Sequence, residues 1–259
     1  MRLNNQVAII TGSGRGIGKG IAEVFAREGA IVVIATIDKE EGRNTAEQIN
    51  MNGGKAFFIQ TDVSDVNSIT QMVKEVNDNF GEIDTLVNNA GITIIKPMEE
   101  AGVELWDELM NINLRSVFLV SKYVTPLMKK QNNGSIINIS SNHAKATIPH
   151  AEIYAATKAG INGLTRGMAV SLAEFGIRVN SICPGFTDTP HHQKWLQDKD
   201  DPEKANNEIM QMHAANRICQ PEDIGKLAVY LASNDSEMMT GEELYLDGGL
   251  STYLFHSKL

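Results

Sequence analysis

Thr11-Gly-Ser-Gly-Arg-Gly-Ile-Gly18 decides how this chain is read. It follows a short apolar run, Gln6–Thr11, and opens Ile17–Glu28, where Ile17, Ile21, Val24 and Phe25 recur at helical spacing. Glycines between a strand and a helix let the backbone bend tightly and approach a ligand. The helix start adds free N–H groups and the positive end of its dipole. Together these features suit the pyrophosphate of a dinucleotide. The spacing is Gly12-x-x-x-Gly16-x-Gly18, which differs from Gly-x-Gly-x-x-Gly.

Outward from this turn, strand and helix keep alternating. Strand runs are read at Ile31–Ala35, Ala56–Ile59, Thr85–Val87, Ser135–Ile139, Ile177–Ile182 and Glu243–Leu246. Helices are read at Glu40–Met51, Asp65–Phe80, Glu104–Lys130, Glu152–Phe175 and Pro221–Ser233. The strands are continuously apolar rather than alternating, which implies a parallel sheet covered on both faces. The expected fold is therefore α/β: a Rossmann-type doubly wound parallel sheet of about seven strands with helices on both faces. One domain, 1–259, accounts for the length, with an irregular substrate-loop insertion at about 186–217 that carries His191, His192 and Trp195. A segment of that length without strand pattern reads as a lid, or as an exposed helical insertion.

The net charge of −9 and the absence of a basic cluster argue against a nucleic-acid partner. The apolar runs are too short to span a membrane, and no secretory signal is visible at the N-terminus. Cys183 and Cys219 read as reduced thiols in a cytoplasmic compartment, with Cys183 in the core. No His/Cys/Asp cluster has metal-ligand spacing, so no metal is expected. The terminal Ser257-Lys258-Leu259 matches a peroxisomal address, which carries meaning only in a eukaryotic cell.

Tyr154 and Lys158, four residues apart, share a helix face. An ammonium beside a phenol favours the phenolate, and a phenol that exchanges its proton easily is a general acid/base. Ser141 lies thirteen residues before the tyrosine. Taken singly, Ser141 reads as a strand-end turn residue, Asn113 as an amide satisfying helix backbone groups, and Tyr154 as a half-buried core tyrosine.

The ordered set resembles the short-chain dehydrogenase/reductase family over essentially the whole chain. The Gly12, Gly16, Gly18 spacing, Asn88-Asn89-Ala90-Gly91, Asn113 in MNINL, Ser141 closing INISS, Tyr154-x-x-x-Lys158 and Pro184-Gly185 stand in family order. The resemblance implies an NAD(P)-dependent oxidoreductase that interconverts a secondary alcohol and a ketone. Tyr154 would be its acid/base, aided by Lys158 and the positive oxidised nicotinamide. Ser141 would hold the substrate oxygen, and Asn113 would anchor a relay water. Gly12, Ser13, Arg15, Gly16, Ile17 and Gly18 would cradle the cofactor's phosphates. Asn89, Ala90, Gly91, Pro184, Gly185, Thr187 and Thr189 would lie along the cofactor, with Asp62 and Val63 against adenine. Asp62 in TDVSD also reads as a helix N-cap.

Coenzyme choice turns on the end of the second strand, Thr36-Ile37-Asp38. An acid there would bind the ribose 2′-hydroxyl of NAD and repel the phosphate of NADP. Thr36 holds the discriminating position and Arg15 can pair with a 2′-phosphate, so NADP is favoured; Asp38 points the other way. Arg15 also reads as a solvated surface charge. His143, His150 and His192 are read as solvated loop histidines near the pocket.

Alternatives are a 3-oxoacyl thioester reductase, sugar, polyol or steroid substrates, and a non-catalytic nucleotide-binding protein. The retained tyrosine and lysine oppose the last. An epimerase or dehydratase would need a larger C-terminal domain. The resemblance also implies a homotetramer or homodimer formed through Glu104–Lys130 and Glu152–Phe175.

Overall fold

The computed structural model describes residues 1–253. The terminal Ser257-Lys258-Leu259 therefore lies outside the described residues. Seven strands form one sheet: β1 (Val7–Thr11), β2 (Ile31–Thr36), β3 (Lys55–Gln60), β4 (Thr85–Asn88), β5 (Gly134–Ile139), β6 (Ile177–Pro184) and β7 (Glu243–Leu246). Their order is β3-β2-β1-β4-β5-β6-β7, and every pairing is parallel. Parallel neighbours need crossovers, and helices supply them: α1 (Gly16–Arg27), α2 (Lys39–Met51), α3 (Val66–Phe80), α4 (Val103–Leu109), α5 (Ser116–Gln131) and α6 (Glu152–Leu172). Three more, α7 (Pro190–Gln197), α8 (Pro202–Met212) and α9 (Pro221–Ala232), lie between β6 and β7.

The period-two alternation of strand side chains divides the core into two layers. Ile10, Ile34 and Val87 face α1, α2 and α9, where Phe25, Ile49 and Val229 are buried. Ile9, Val33 and Leu86 face α3, α5 and α6, where Met72, Val124 and Leu172 are buried. Each of the larger side chains is worth about 1.5–3 kcal/mol when withdrawn from water, so the sheet's two faces dominate stability.

The chain winds outward from β1 through β2 to β3, then returns to lay β4 on the other side of β1. At such a switch point the loops leaving adjacent strands diverge, opening a crevice beyond the strands' carboxyl ends. Thr11-Gly12 and Asn88-Asn89 stand at that crevice.

Two stretches differ from the sequence reading. The helix expected over Glu104–Lys130 is interrupted by π-helical turns at Met110–Arg115, between α4 and α5. The stretch 186–217, read as irregular, contains α7 and α8. Each starts with a side-chain cap followed by proline: Thr189 before Pro190, Asp201 before Pro202. An isolated bridge, Thr187 to Cys219, joins the ends of this segment.

Candidate active site

A cleft of about 470 Å³ runs along the switch point. One end is lined by Thr36, Ile37, Asp38 and Glu41, the middle by Gly12, Gly16 and Ala90, and the other end by Tyr154 and Lys158. The structure thus brings the glycine turn, the end of β2 and the α6 pair into one cavity, together with Arg15, Ile17, Asp62, Val63, Asn89, Gly91 and Thr189. Ser13, Gly18, Asn113, Ser141, Pro184, Gly185 and Thr187 are not among the residues that line it.

The glycine turn is fixed from β4. The Asn89 side-chain amide donates to the Thr11 carbonyl at 2.9 Å and the Gly12 carbonyl at 3.1 Å. Asn89 and Ala90 backbone N–H groups both donate to Thr11 Oγ1. A Cβ on Gly18 would lie 2.4 Å from the Gly12 carbonyl oxygen, and Gly12 itself has φ +64°. Ser13 turns inward and donates to the Ile10 carbonyl, leaving its backbone for a ligand. Asp38 and Asp65 cap α2 and α3 with their side chains, whereas α1 has no side-chain cap and no acid in its first turn. Its leading N–H groups remain available for an anion, which fits a dinucleotide pyrophosphate.

At the end of the cleft beside β2, Asp38 accepts from the Glu41 N–H at 2.9 Å as the α2 cap. Arg15 is paired with Glu41 (Nη1 to Oε1, 3.1 Å). Asp62 does not cap the third helix: Asp65 does, while Asp62 Oδ1 accepts from the N–H and hydroxyl of Ser64. Glu41 was not singled out in the sequence. It lies one turn beyond Asp38 on the same helix, a spacing that places it over the cap.

At the reacting end, Lys158 is buried and its Nζ donates to the Ile139 carbonyl at 3.0 Å. That Nζ lies 5.6 Å from the centre of the Tyr154 ring. Ser141 Oγ accepts from the His143 N–H at 3.1 Å and donates to Asn142 Oδ1 at 3.2 Å. His143 is not a solvated loop side chain. Its ring meets Tyr154 edge-on at 5.3 Å, and burial, with the Lys158 charge, pushes its pKa down. His192 is likewise buried, beside Phe186 and Trp195, and burial lowers its pKa. His150 is exposed.

Asn113, in the π-helical turns, is fully buried. Its side chain accepts from the Ile92 N–H at 2.8 Å and donates to the Ile92 carbonyl at 2.9 Å, pinning the loop beyond β4. Both polar atoms of the side chain thus have partners, Nδ2 also reaching Thr157 Oγ1 at 3.4 Å. Behind the site, Asn88 Nδ2 donates to Ser121 Oγ and to Asn138 Oδ1, and Asn138 Nδ2 donates to Thr165 Oγ1. This buried network ties β4 and β5 to α5 and α6, and its full satisfaction rigidifies the floor under the cleft. Thr187 is buried and donates to the Gly185 carbonyl, while Thr189 Oγ1 caps α7 by accepting from the His192 N–H. Pro184 and Gly185 end β6, and Gly185 donates its N–H to the Leu246 carbonyl.

Among the described residues, no group of three or more His, Cys, Asp or Glu is placed to hold a metal ion, and no helix is long and apolar enough to cross a membrane.

A doubly wound sheet with a phosphate-ready turn and a tyrosine–lysine pair in one cleft defines a dinucleotide-dependent oxidoreductase. A family model described as enoyl-(acyl carrier protein) reductase matches residues 12–251, and the chain belongs to the short-chain dehydrogenase/reductase family. It is an NAD(P)-dependent enzyme. Among its relatives, a 3-oxoacyl-[acyl-carrier-protein] reductase of Thermotoga maritima is 39% identical over 250 residues, 96% of this chain and 99% of the relative. A cyclopentanol dehydrogenase of a Comamonas species is 36% identical over 248 residues, 96% of this chain and 98% of the relative. A solved structure of an actinorhodin polyketide ketoreductase variant with NADPH superimposes with a TM-score of 0.92 at 32% identity, covering 96% of this chain and 98% of that one.

Proposed function

We propose that the protein interconverts a small secondary alcohol and its ketone, with Tyr154 as general acid/base and NADP(H) as the favoured coenzyme. The observation that carries this reading is the shared cleft: Tyr154 and Lys158 line the cavity that the glycine turn also lines. The Comamonas relative's name, a dehydrogenase of a cyclic secondary alcohol, supports the substrate class.

Gly12, Gly16 and Ile17 hold the pyrophosphate against the start of α1, with Ser13 and Gly18 shaping the turn. Asp62 and Val63 flank adenine, Thr36, Ile37 and Asp38 surround its ribose, and Asn89, Ala90 and Gly91 run beneath the middle of the cofactor. Pro184, Gly185, Thr187 and Thr189 frame the nicotinamide end. A bound nicotinamide supplies or accepts the hydride. Tyr154 gives its phenolic proton to the carbonyl oxygen, or takes the hydroxyl proton in the reverse direction. Lys158 has three donors and spends one on Ile139. The others would reach the nicotinamide ribose, and the ammonium sets a positive charge beside the phenol. Ser141 exchanges its bond to Asn142 for one to the substrate oxygen, fixing it near the phenol. The Asn113 backbone anchors the water that links Lys158 to solvent.

A second reading, reduction of a 3-oxoacyl thioester, is favoured by the Thermotoga relative's name. A panel of secondary alcohols, ketones and 3-oxoacyl thioesters, followed at the nicotinamide absorbance with both coenzymes, separates the two. Turnover confined to thioesters overturns the small-alcohol reading. We further place 1–259 as one domain, with the segment at 186–217 selecting the substrate, and the enzyme as a homotetramer in the cytoplasm.

A further inference from the structure

We propose that Glu41 is a coenzyme-discriminating residue, which restrains NADP(H) binding by competing with the 2′-phosphate for Arg15. The inference rests on reading the cleft as the coenzyme site.

Three observations place Glu41 in that role. It lines the same end of the cavity as Thr36, Asp38 and Arg15. Its carboxylate holds the Arg15 guanidinium at 3.1 Å. Its own position is fixed, because its N–H is bound by Asp38 and the neighbouring turn is fastened to α2 by the Thr45 hydroxyl donating to the Gly14 carbonyl at 2.8 Å. A Cβ on Gly14 would lie 3.0 Å from Glu41 Cβ, so turn and helix are in close contact.

The charges then settle how each residue acts. Asp38 is committed to capping α2, and Thr36 brings no charge to the discriminating position. Arg15 is the cation that lines this end of the cleft, and Asp38, Glu41 and Asp62 are the carboxylates that do. A 2′-phosphate therefore meets a guanidinium that already donates through Nη1 to a carboxylate. To bind it, Arg15 must leave Glu41 or share its donors. A 2′-hydroxyl demands no such exchange. The pair is largely exposed, with Arg15 at 70% and Glu41 at 34% of side-chain area. Its competition is accordingly modest, of the size that an exposed ion pair can exert: roughly two- to fivefold in affinity.

Dissociation constants for NADPH and NADH, measured by calorimetry on wild type, Glu41→Gln, Arg15→Ala and the double variant, test this. Glu41→Gln is expected to tighten NADPH roughly two- to fivefold and to leave NADH within about 1.5-fold. With Arg15→Ala in place, Glu41→Gln is expected to change NADPH affinity by less than about twofold. An unchanged NADPH-to-NADH ratio in Glu41→Gln overturns the proposal, and so does a full effect that persists without Arg15. Wild type that binds neither dinucleotide overturns the coenzyme reading itself, a result distinct from both.

Discussion

The Lys158 ammonium stands 5.6 Å from the centre of the Tyr154 ring, held there by its hydrogen bond to the Ile139 carbonyl at the end of β5. The sheet thus sets the distance between the cation and the phenol, and α6 supplies both. Tyr154→Phe removes the exchangeable proton while keeping the ring against His143. Turnover should fall by about 10²–10⁴-fold, with NADPH affinity within about twofold of wild type. Stopped-flow absorbance and calorimetry read the two quantities; turnover near the wild-type rate would remove Tyr154 from its role.

Asn113→Ala strips the partners from the Ile92 N–H and the Ile92 carbonyl, both part-buried. Unpaired buried groups cost about 1–3 kcal/mol each, so a loss of about 3 kcal/mol is expected. In a chain of this size that corresponds to a drop in Tm of roughly 6–12 °C in thermal unfolding. A Tm equal to wild type would show that water or a neighbour replaces the amide.

Thr36→Asp puts a carboxylate at the end of β2, facing the ribose. NADPH binding should weaken by about tenfold or more from charge repulsion, and NADH binding should hold or tighten. Fluorescence titration of both coenzymes checks this, and equal weakening of both would mark Thr36 as a packing residue alone.

Burial pushes the Cys219 thiol from 9.0 up to about 11. The folded state therefore keeps a proton that the unfolded chain releases as pH rises past 9. Above that point the unfolded state binds fewer protons, so folding stability falls with pH until the folded thiol also ionises near 11. Urea unfolding at a series of alkaline pH values should show this decline, and Cys219→Ser should make it shallower, the upward-shifted Cys183 thiol and Tyr245 phenol supplying the rest. A flat profile in wild type would mean that the thiol ionises freely.

The strands were legible because burial on both faces demands unbroken apolar runs, and Val32 to Thr36 are all buried as Ile31–Ala35 suggested. The π-helical interruption was not legible. MNINLR keeps the apolar spacing of its neighbours, and one extra residue per turn leaves no compositional mark. Helices α7 and α8 were legible only as the alternative of an exposed helical insertion, because PHHQKWLQ carries little apolar periodicity, although the Thr189-Pro190 and Asp201-Pro202 pairs are readable starts. In the site, residue types at family spacing marked Tyr154, Lys158 and the glycine turn. The sequence could not show that Asn113 spends its side chain on Ile92, nor that Arg15 meets Glu41, since both depend on how distant segments pack.

The bridge between Thr187 and Cys219 brings the two ends of the inserted helices to adjoining points on the sheet's rim. Asp188 donates to the Cys219 carbonyl and Cys219 to the Phe186 carbonyl, closing the neck. A segment whose ends already meet asks little more loop-closure entropy when its length changes. Exchange of 188–218 for a relative's counterpart is therefore expected to leave the sheet beneath in its present geometry.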